Sequence, residues 1–344
     1  MTSTVAPVTP IPLMELTTGF WKFKAMAAAV DIGLFAAVER RGEATFAELV
    51  TDLGLHARPV RMLLGSCTAM GLLVRSHGRY RNSGLAAEFL VPGKEHYFGG
   101  FVQYSDQHAY PAWGRLQEAL RTNAPTTWDS STQDSAFVAE TEPAILENFW
   151  EAMFSLSAFT AEALADAHDF TRHRRLLDVG GGMGPFPIGL CRRHEHLTAT
   201  VYDLPHIAEK CRAKVAEHGL GDRISAHGGS FLADAEFPAG HDVILLSMIL
   251  HDWDERTSRD ILAKCYAALP PGGAVIICEL VLDDDETGPL PAAMMGLNML
   301  VETRGGHNWT DAEYREWLTG AGFRGIETVP MHSAGANAAI IAYK

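Results

Sequence analysis

The stretch RRLLDVGGGMGPFPIGL, residues 174–190, carries an apolar run into an acid and four glycines (Gly180, Gly181, Gly182 and Gly184), and then into an apolar, helix-like segment. Glycines let a backbone turn tightly and come within contact distance of a ligand at the carboxyl end of a strand. TATVYDLP, DRISAHGG, HDVILLSMIL and GAVIICELVL are further short apolar runs that end in Gly, Asp or Pro. Helix-like segments such as HIAEKCRAKVAEHG and SRDILAKCYAAL separate them, the pattern of a parallel sheet with crossover helices. IETVPMHSAGANAAIIAYK at the end predicts an antiparallel hairpin at the sheet edge. The expected fold is a doubly wound α/β domain behind a helical N-terminal domain.

The glycine spacing excludes two nucleotide motifs. Counted from Gly180, the dinucleotide pattern Gly-x-Gly-x-x-Gly meets Pro185, and counted from Gly181 it meets Met183; no Gly-Lys-Ser/Thr follows for a phosphate loop. What fits is Asp178-x-Gly180-x-Gly182-x-Gly184. Asp203, nineteen residues past Gly184, ends the second strand in VYDLPHI, where a carboxylate would accept from both hydroxyls of a ribose. On its own, Asp-Leu-Pro is equally a turn. Gly229, Ser230 and Phe231 follow the third strand, with Phe231 placed for an adenine to lie against. Three strand ends in this order point to a nucleoside site.

Composition narrows the partners. Of 344 residues, 42 are Asp or Glu and 28 Lys or Arg, and the formal charge of −14 argues against nucleic acid, whose phosphates need a basic footprint. No stretch approaches the ~20 apolar residues needed to span a bilayer. MTSTVAPVTPIPL lacks the parts of a signal peptide and is expected to be a flexible tail on a cytoplasmic protein. The five cysteines are scattered without a CxxC pair, as reduced core thiols would be.

Residues 14–90 predict short helices, with Thr45 and His56 at two cap positions, and then a polar turn between extended segments in LLVRSHGRYRNSGLAAEFL. Helices followed by such a wing suggest a winged helix. Its third helix, ARPVRMLLGSCTAMG, carries only Arg58 and Arg61 as cations, so its apolar face is expected against another chain or domain rather than DNA. Residues 100–165 predict aromatic-rich helices, mostly core, with a minority lining a pocket.

The ordered run LLDVGGGMG, VYDLPH, GGSF, LSMILHDWDE, PPGGAVIICELVL and GGHNWTDAEYREWLTGAGF resembles the small-molecule O-methyltransferases that use S-adenosylmethionine: the caffeate- and flavonoid-type plant enzymes and bacterial relatives in secondary metabolism. The resemblance covers essentially the whole chain. It implies a Rossmann-like class I methyltransferase sheet, S-adenosylmethionine as cofactor and S-adenosylhomocysteine (SAH) as product, and a homodimer through a winged-helix domain of residues 12–100. The catalytic domain would span 101–344, with 101–165 supplying linking helices to the acceptor pocket. Leu204 and Ser247 join Asp178, Gly180, Gly182, Gly184, Asp203, Gly229, Ser230 and Phe231 as expected cofactor contacts. The acceptor would be a hydroxyl of a small aromatic or polyketide-type metabolite.

The resemblance also assigns a base. His251, after the fourth strand, matches the family's general base, and its side chain titrates in the right range. Against this, His251-Asp252 could simply cap the following helix, a role that fits Asp252 or Asp254. Glu279 matches one of two acids that bracket the base. The second acid, normally Glu after Gly-Gly-Lys, is replaced here: the loop reads Gly305-Gly306-His307-Asn308, and Asn308 can hydrogen-bond an imidazole without adding charge. His307 is a solvated loop residue, an acceptor contact or relay to His251, or, with His251 and Asp252, part of a metal site for C-methylation of a keto acid. The last ranks lowest, and no metal ligands are assigned. Trp309 is expected to pack the following helix. Trp150, Met153, Phe154, Met294, Asn298, Met299 and His307 are the acceptor-side candidates, with His96, Tyr104 and His108 a further polar group. A non-methylating relative and a winged-helix DNA-binding regulator are the rival readings.

Overall fold

The computed structural model describes residues 8–131 and 143–344, with side chains described outside 143–148. The chain divides into two compact units, one ending at Gln107 and the other running from His108 to Lys344. Part of the expected 101–165 helical segment, residues 132–142, lies outside the described residues, as does the start of the expected tail.

In the first unit the expected tail is already helical at Ile11–Thr17, where Pro10 and Pro12 flank the first turn and preset its backbone. Helices Gly19–Asp31, Leu34–Arg41, Phe46–Leu53 and Ala57–Ala69 follow. Thr45 closes a reciprocal capping box with Glu48, whereas His56 sits at its cap position without a side-chain bond, as expected of an imidazole there. Strands β1 (Ala44–Thr45), β2 (Leu73–Ser76) and β3 (Arg79–Asn82) form an antiparallel sheet in the order β1-β3-β2. Leu34, Phe35, Val38, Leu49, Leu64 and Leu73 fill its core.

The second unit is built on a seven-stranded sheet in the order β6-β5-β4-β7-β8-β10-β9. Its strands are β4 (Arg175–Val179), β5 (Thr198–Asp203), β6 (Ile224–Gly228), β7 (Val243–Ser247), β8 (Ala274–Glu279), β9 (Arg324–Pro330) and β10 (Ala338–Tyr343). The first five run parallel; β10 pairs antiparallel with both β8 and β9, so the terminal hairpin closes one edge as expected. Every residue of β8 is buried, because helices cover both faces of a parallel sheet. Alternation divides each strand between two cores: Leu176, Val201, Leu245 and Ile276 face one, and Leu177, Val179, Leu246 and Ile277 the other. All five cysteines are buried and free. Among the described residues no helix is long and apolar enough to cross a membrane.

β4 has β5 on one side and β7 on the other, so the strand order reverses around it. Open α/β sheets bind ligands outside the carboxyl ends of their strands at such a switch. Asp178, Asp203, Ser247 and Glu279 all stand at that edge.

Candidate functional site

The glycine loop leaves β4 through three left-handed residues, Gly180 at φ +70°, Gly182 at φ +56° and Gly184 at φ +80°, conformations that side chains resist. Gly184 also ends in the N-cap of the helix Pro185–Arg193. The loop is pinned from β5: Gly182 N–H donates to Asp203 Oδ2 at 2.8 Å, and Leu204 N–H to Asp203 Oδ1 at 2.7 Å. Burial raises the Asp203 carboxyl and these two donors oppose it. Asp178 is buried beneath the loop, close against Gly181, where a Cβ would lie 2.3 Å from Oδ2. That oxygen has no hydrogen-bond partner, and burial, with Asp203 adding its charge, lifts the carboxyl to about 8.

After β6, the Gly229–Phe231 turn is fastened from three directions. Asp234 Oδ2 accepts from Tyr202 OH at 2.6 Å and from Ser230 N–H at 3.1 Å, and Lys264 Nζ donates to the carbonyls of Phe231 (2.8 Å) and Asp234 (2.7 Å). Phe231 meets Trp253 edge-on at 5.8 Å and lies within van der Waals reach of a Cβ at Gly180. Neither Tyr202–Asp234 nor Lys264 was read from the sequence, and their spacings of 32 and 30 residues leave no local pattern that would reveal them.

A second arrangement stands at the ends of β7 and β8. Met248 takes a φ of +54°, rare for a residue with a side chain, and the next two amides turn toward β8. Glu279, fully buried, accepts both through Oε1: Ile249 N–H at 2.9 Å and Leu250 N–H at 3.0 Å. Its Oε2 lies 2.6 Å from His251 Nδ1, an ion-pair contact whose ring N–H is not in line with the carboxylate. On the other side of the ring, Asp252 Oδ1 is 3.5 Å from Nε2. Burial opposes the charged imidazole, but Glu279 and Asp252 prevail and hold it at about 9. Helix capping falls to Asp254, which accepts from Thr257 N–H at 2.8 Å; Asp252 is left beside the imidazole.

The 303–309 loop is tied to this site through its backbone: His307 N–H donates to the His251 carbonyl at 2.8 Å. The His307 side chain is exposed and stacks edge-on against Trp309 at 4.9 Å, and Trp309 packs on Trp317 of the following helix as expected. The expected Asn308 contact to the imidazole is not formed. Asn308 Nδ2 donates to Leu280 O at 2.5 Å, and Oδ1 is buried without a partner. No group of three or more His, Cys, Asp or Glu that could hold a metal ion occurs among the described residues, so His251, Asp252 and His307 do not assemble as a ligand set.

The acceptor-side candidates scatter. Trp150 lies against Gly182, its ring 3.5 Å from where a Cβ would stand, and so borders the glycine loop. Phe154, four residues on, turns instead to the helix Pro205–Glu217, stacking on His218 at 5.9 Å with Lys214 5.2 Å over its ring; it packs on the sheet core. Met153 is half-buried. On the helix Leu290–Glu302, Met294 is exposed and Met299 buried, and Asn298 accepts from Trp113 Nε1 at 2.9 Å. His96 pairs with Glu88 at 2.6 Å in the first unit, to which Tyr104 also belongs, while His108 opens the second.

These residues fit S-adenosylmethionine. Asp203 stands at the strand edge with lone pairs left for a diol, and Asp178 offers an orphaned buried oxygen to a cationic or donor group. Residues 113–324 match the O-methyltransferase domain, and 14–92 match the O-methyltransferase dimerisation domain. A 3-hydroxy-5-methyl-1-naphthoate 3-O-methyltransferase of Streptomyces sahachiroi is 46% identical over 97% of this chain and 95% of its own. The tetracenomycin polyketide synthesis 8-O-methyl transferase TcmO of Streptomyces glaucescens is 32% identical over 94% of each. PigF of Serratia, solved with SAH, superposes with a TM-score of 0.83 at 29% identity over 98% of this chain and 100% of its own. The chain belongs to the O-methyltransferase family, a methyltransferase with an N-terminal dimerisation domain.

Proposed function

We propose that this protein transfers the methyl group of S-adenosylmethionine to a hydroxyl of a small fused-ring aromatic or polyketide-type acceptor, with His251 as general base. The observation that carries the reading is the buried Glu279–His251 pair with half-buried Asp252 beside it at the strand ends, next to a cofactor loop held by Asp203. S-adenosylmethionine supplies an electrophilic methyl on a sulfonium. Asp203 would take the ribose, Gly180, Gly182, Gly184, Gly229 and Ser230 would line the nucleoside with Leu204 and Ser247 beside it, and Phe231 would face the adenine. Asp178 would meet the cationic end. His251 Nε2 would take the hydroxyl proton while Glu279 holds the ring.

The acceptor class follows from the relatives, which act on a hydroxynaphthoate and a tetracenomycin polyketide. Trp150, Met153, Met294, Asn298 and His307 are the side chains we assign to its surroundings. Residues 12–100 would form the dimerisation domain of a cytoplasmic homodimer, and 101–344 the catalytic domain. The test is an assay of the purified protein with S-adenosylmethionine and a panel of hydroxynaphthoic acids, with mass detection of the product. A gain of one methyl on oxygen supports the reading. A methyl found on carbon, or SAH formation with none of the phenols, overturns it.

A further inference from the structure

The strand that carries Glu279 loses its neighbours just there. On one side β7 pairs with β8 only as far as Ser247 opposite Cys278, and at Met248 the chain turns away with its φ of +54°. On the other side β10 pairs with β8 from Tyr343 to Ala338, which stands opposite Glu279. The carboxylate that faces His251 thus belongs to the last residue of its strand, where a strand would ordinarily fray. Glu279 is nonetheless fully buried, and its side chain meets three groups at once: the Ile249 and Leu250 amides and His251 Nδ1.

Asn337, the residue before β10, takes over where the ladder stops. Its Oδ1 accepts from Val281 N–H at 2.7 Å and its Nδ2 donates to Val281 O at 2.9 Å, so the side-chain amide does for Val281 what an opposed strand would do. Its own N–H donates to Glu279 O at 3.0 Å. The other edge of the same segment is held from the 303–309 loop, by Asn308 Nδ2 on Leu280 O and by Leu282 N–H donating to Trp309 O at 3.0 Å. The loop that carries Asn337 is itself anchored. Met331 N–H donates to Asn337 O at 2.7 Å and closes residues 331–337, and Ser333 Oγ meets Thr160 Oγ1 on the helix Pro143–Ala167 at 2.6 Å. Gly335 lets the backbone come close: a Cβ there would stand 2.8 Å from Thr160 Oγ1 and 3.2 Å from Met248 Sδ. One loop therefore supports both the strand that carries Glu279 and the turn that aims two amides at it.

We propose that Asn337 is a positioning residue whose amide, by pairing with Val281, sets where the Glu279 carboxylate stands against His251. Its bearing on catalysis rests on His251 being the base. The Asn337 N–H bond to Glu279 O survives substitution of the side chain; the two bonds to Val281 do not. Without them the Val281 N–H and C=O lose their partners in a buried segment, and the segment must shift to regain them. Glu279 is two residues away, and a misplacement of about 1 Å in a catalytic group can cost on the order of a hundredfold in rate. The charged groups that act on His251 are Glu279 from β8 and Asp252 from its own turn. A Glu279 that draws away leaves the imidazolium less stabilised, so the ring loses its proton at lower pH.

The test reads the imidazole directly in the full-length protein. The His251 ring resonance, assigned by its absence from His251→Gln, is titrated by NMR in wild type, Asn337→Ala and Ile341→Val. The last is a control that loosens β10 in the core without touching Val281. The pH profile of kcat/KM with a hydroxynaphthoic acid, calorimetric SAH affinity and melting temperature are measured on the same samples. In Asn337→Ala the titration midpoint falls by about one pH unit, and the kcat/KM limb moves with it. Turnover drops roughly tenfold while SAH affinity stays within about twofold of wild type. Ile341→Val melts lower with an unmoved midpoint. A wild-type midpoint in Asn337→Ala overturns the role whatever the melting temperature, as does an equal shift in Ile341→Val, which marks general loosening. If Asn337→Ala does not fold, Asn337→Ser is judged by the same midpoint. A wild type that methylates no phenol removes the functional reading, while the titration still decides whether Asn337 holds Glu279 in place.

Discussion

At the ends of β4 and β5, two acids stand without a salt bridge: Asp203 is held by two backbone amides, with His206 only a weaker influence on it, and Asp178 keeps an oxygen that bonds nothing. At the ends of β7 and β8 Glu279 is fully buried and Asp252 half-buried, and an imidazole stands between them. On the proposed reading, the first region holds no ion pair and is completed by the cofactor. The second already carries a positive charge, as a proton on His251, and under the proposed mechanism its chemistry begins when that proton leaves. The difference separates binding from turnover: one pair of strand ends should govern affinity for the nucleoside, the other the rate and its pH dependence.

Replacing His251 is the hardest test of that division. His251→Ala should cut turnover by a factor on the order of a hundred to ten thousand. Calorimetric SAH affinity should stay close to wild type, because the side chain lies in the β7–β8 arrangement. A large loss of SAH affinity would show that the two regions are one. Asp203→Ala is the converse. Losing two bonds between a buried carboxylate and a diol, at about 1.5–3 kcal/mol each, should weaken SAH by about a hundredfold to ten thousandfold. With saturating cofactor, turnover should largely return.

Glu279→Gln sharpens the second region. Glutamine still accepts from Ile249 and Leu250 but removes the charge that raises the imidazole. If His251 is the base, as proposed, it acts only when neutral, so kcat/KM should rise with pH through about 9 in the wild type. The bound sulfonium should place the limb of kcat lower. In Glu279→Gln the kcat/KM limb should move to lower pH, with turnover reduced about tenfold by poorer orientation of the ring. An unmoved limb would mean that Asp252 alone sets the proton.

The same contrast explains what could be read beforehand. The strand ends carry local signals: an apolar run stopping in an acid or glycine puts Asp178, Asp203, His251 and Glu279 on one edge whatever the helices do. The turn after β6 was legible as Gly-Ser-Phe, but Tyr202, Asp234 and Lys264, which hold it, meet across distant segments. Asp252 and Asp254 could not be separated as caps, because the choice depends on where the helix begins, and it begins at Glu255. Asn308 was read by matching a loop whose family acid is missing, and the loop instead joins His251 through the His307 backbone.

The helix Pro143–Ala167 shows the limit of matching in its simplest form, and it gives the smallest expected effect on catalysis. Trp150 and Phe154 are one turn apart, and the sequence resemblance puts both on the acceptor side. Residues at i and i+4 share a face, yet the stripe is broad enough for its two edges to meet different neighbours. Trp150 reaches the glycine loop; Phe154 reaches Lys214 and His218. Phe154→Ala should therefore lower the melting temperature by a few degrees, as the loss of about 1–2 kcal/mol of partly buried aromatic packing implies. The acceptor KM should be unchanged. A KM that rises severalfold with unaltered stability would put Phe154 back beside the acceptor and make the face of this helix, rather than the strand edge, the determinant of what the enzyme methylates.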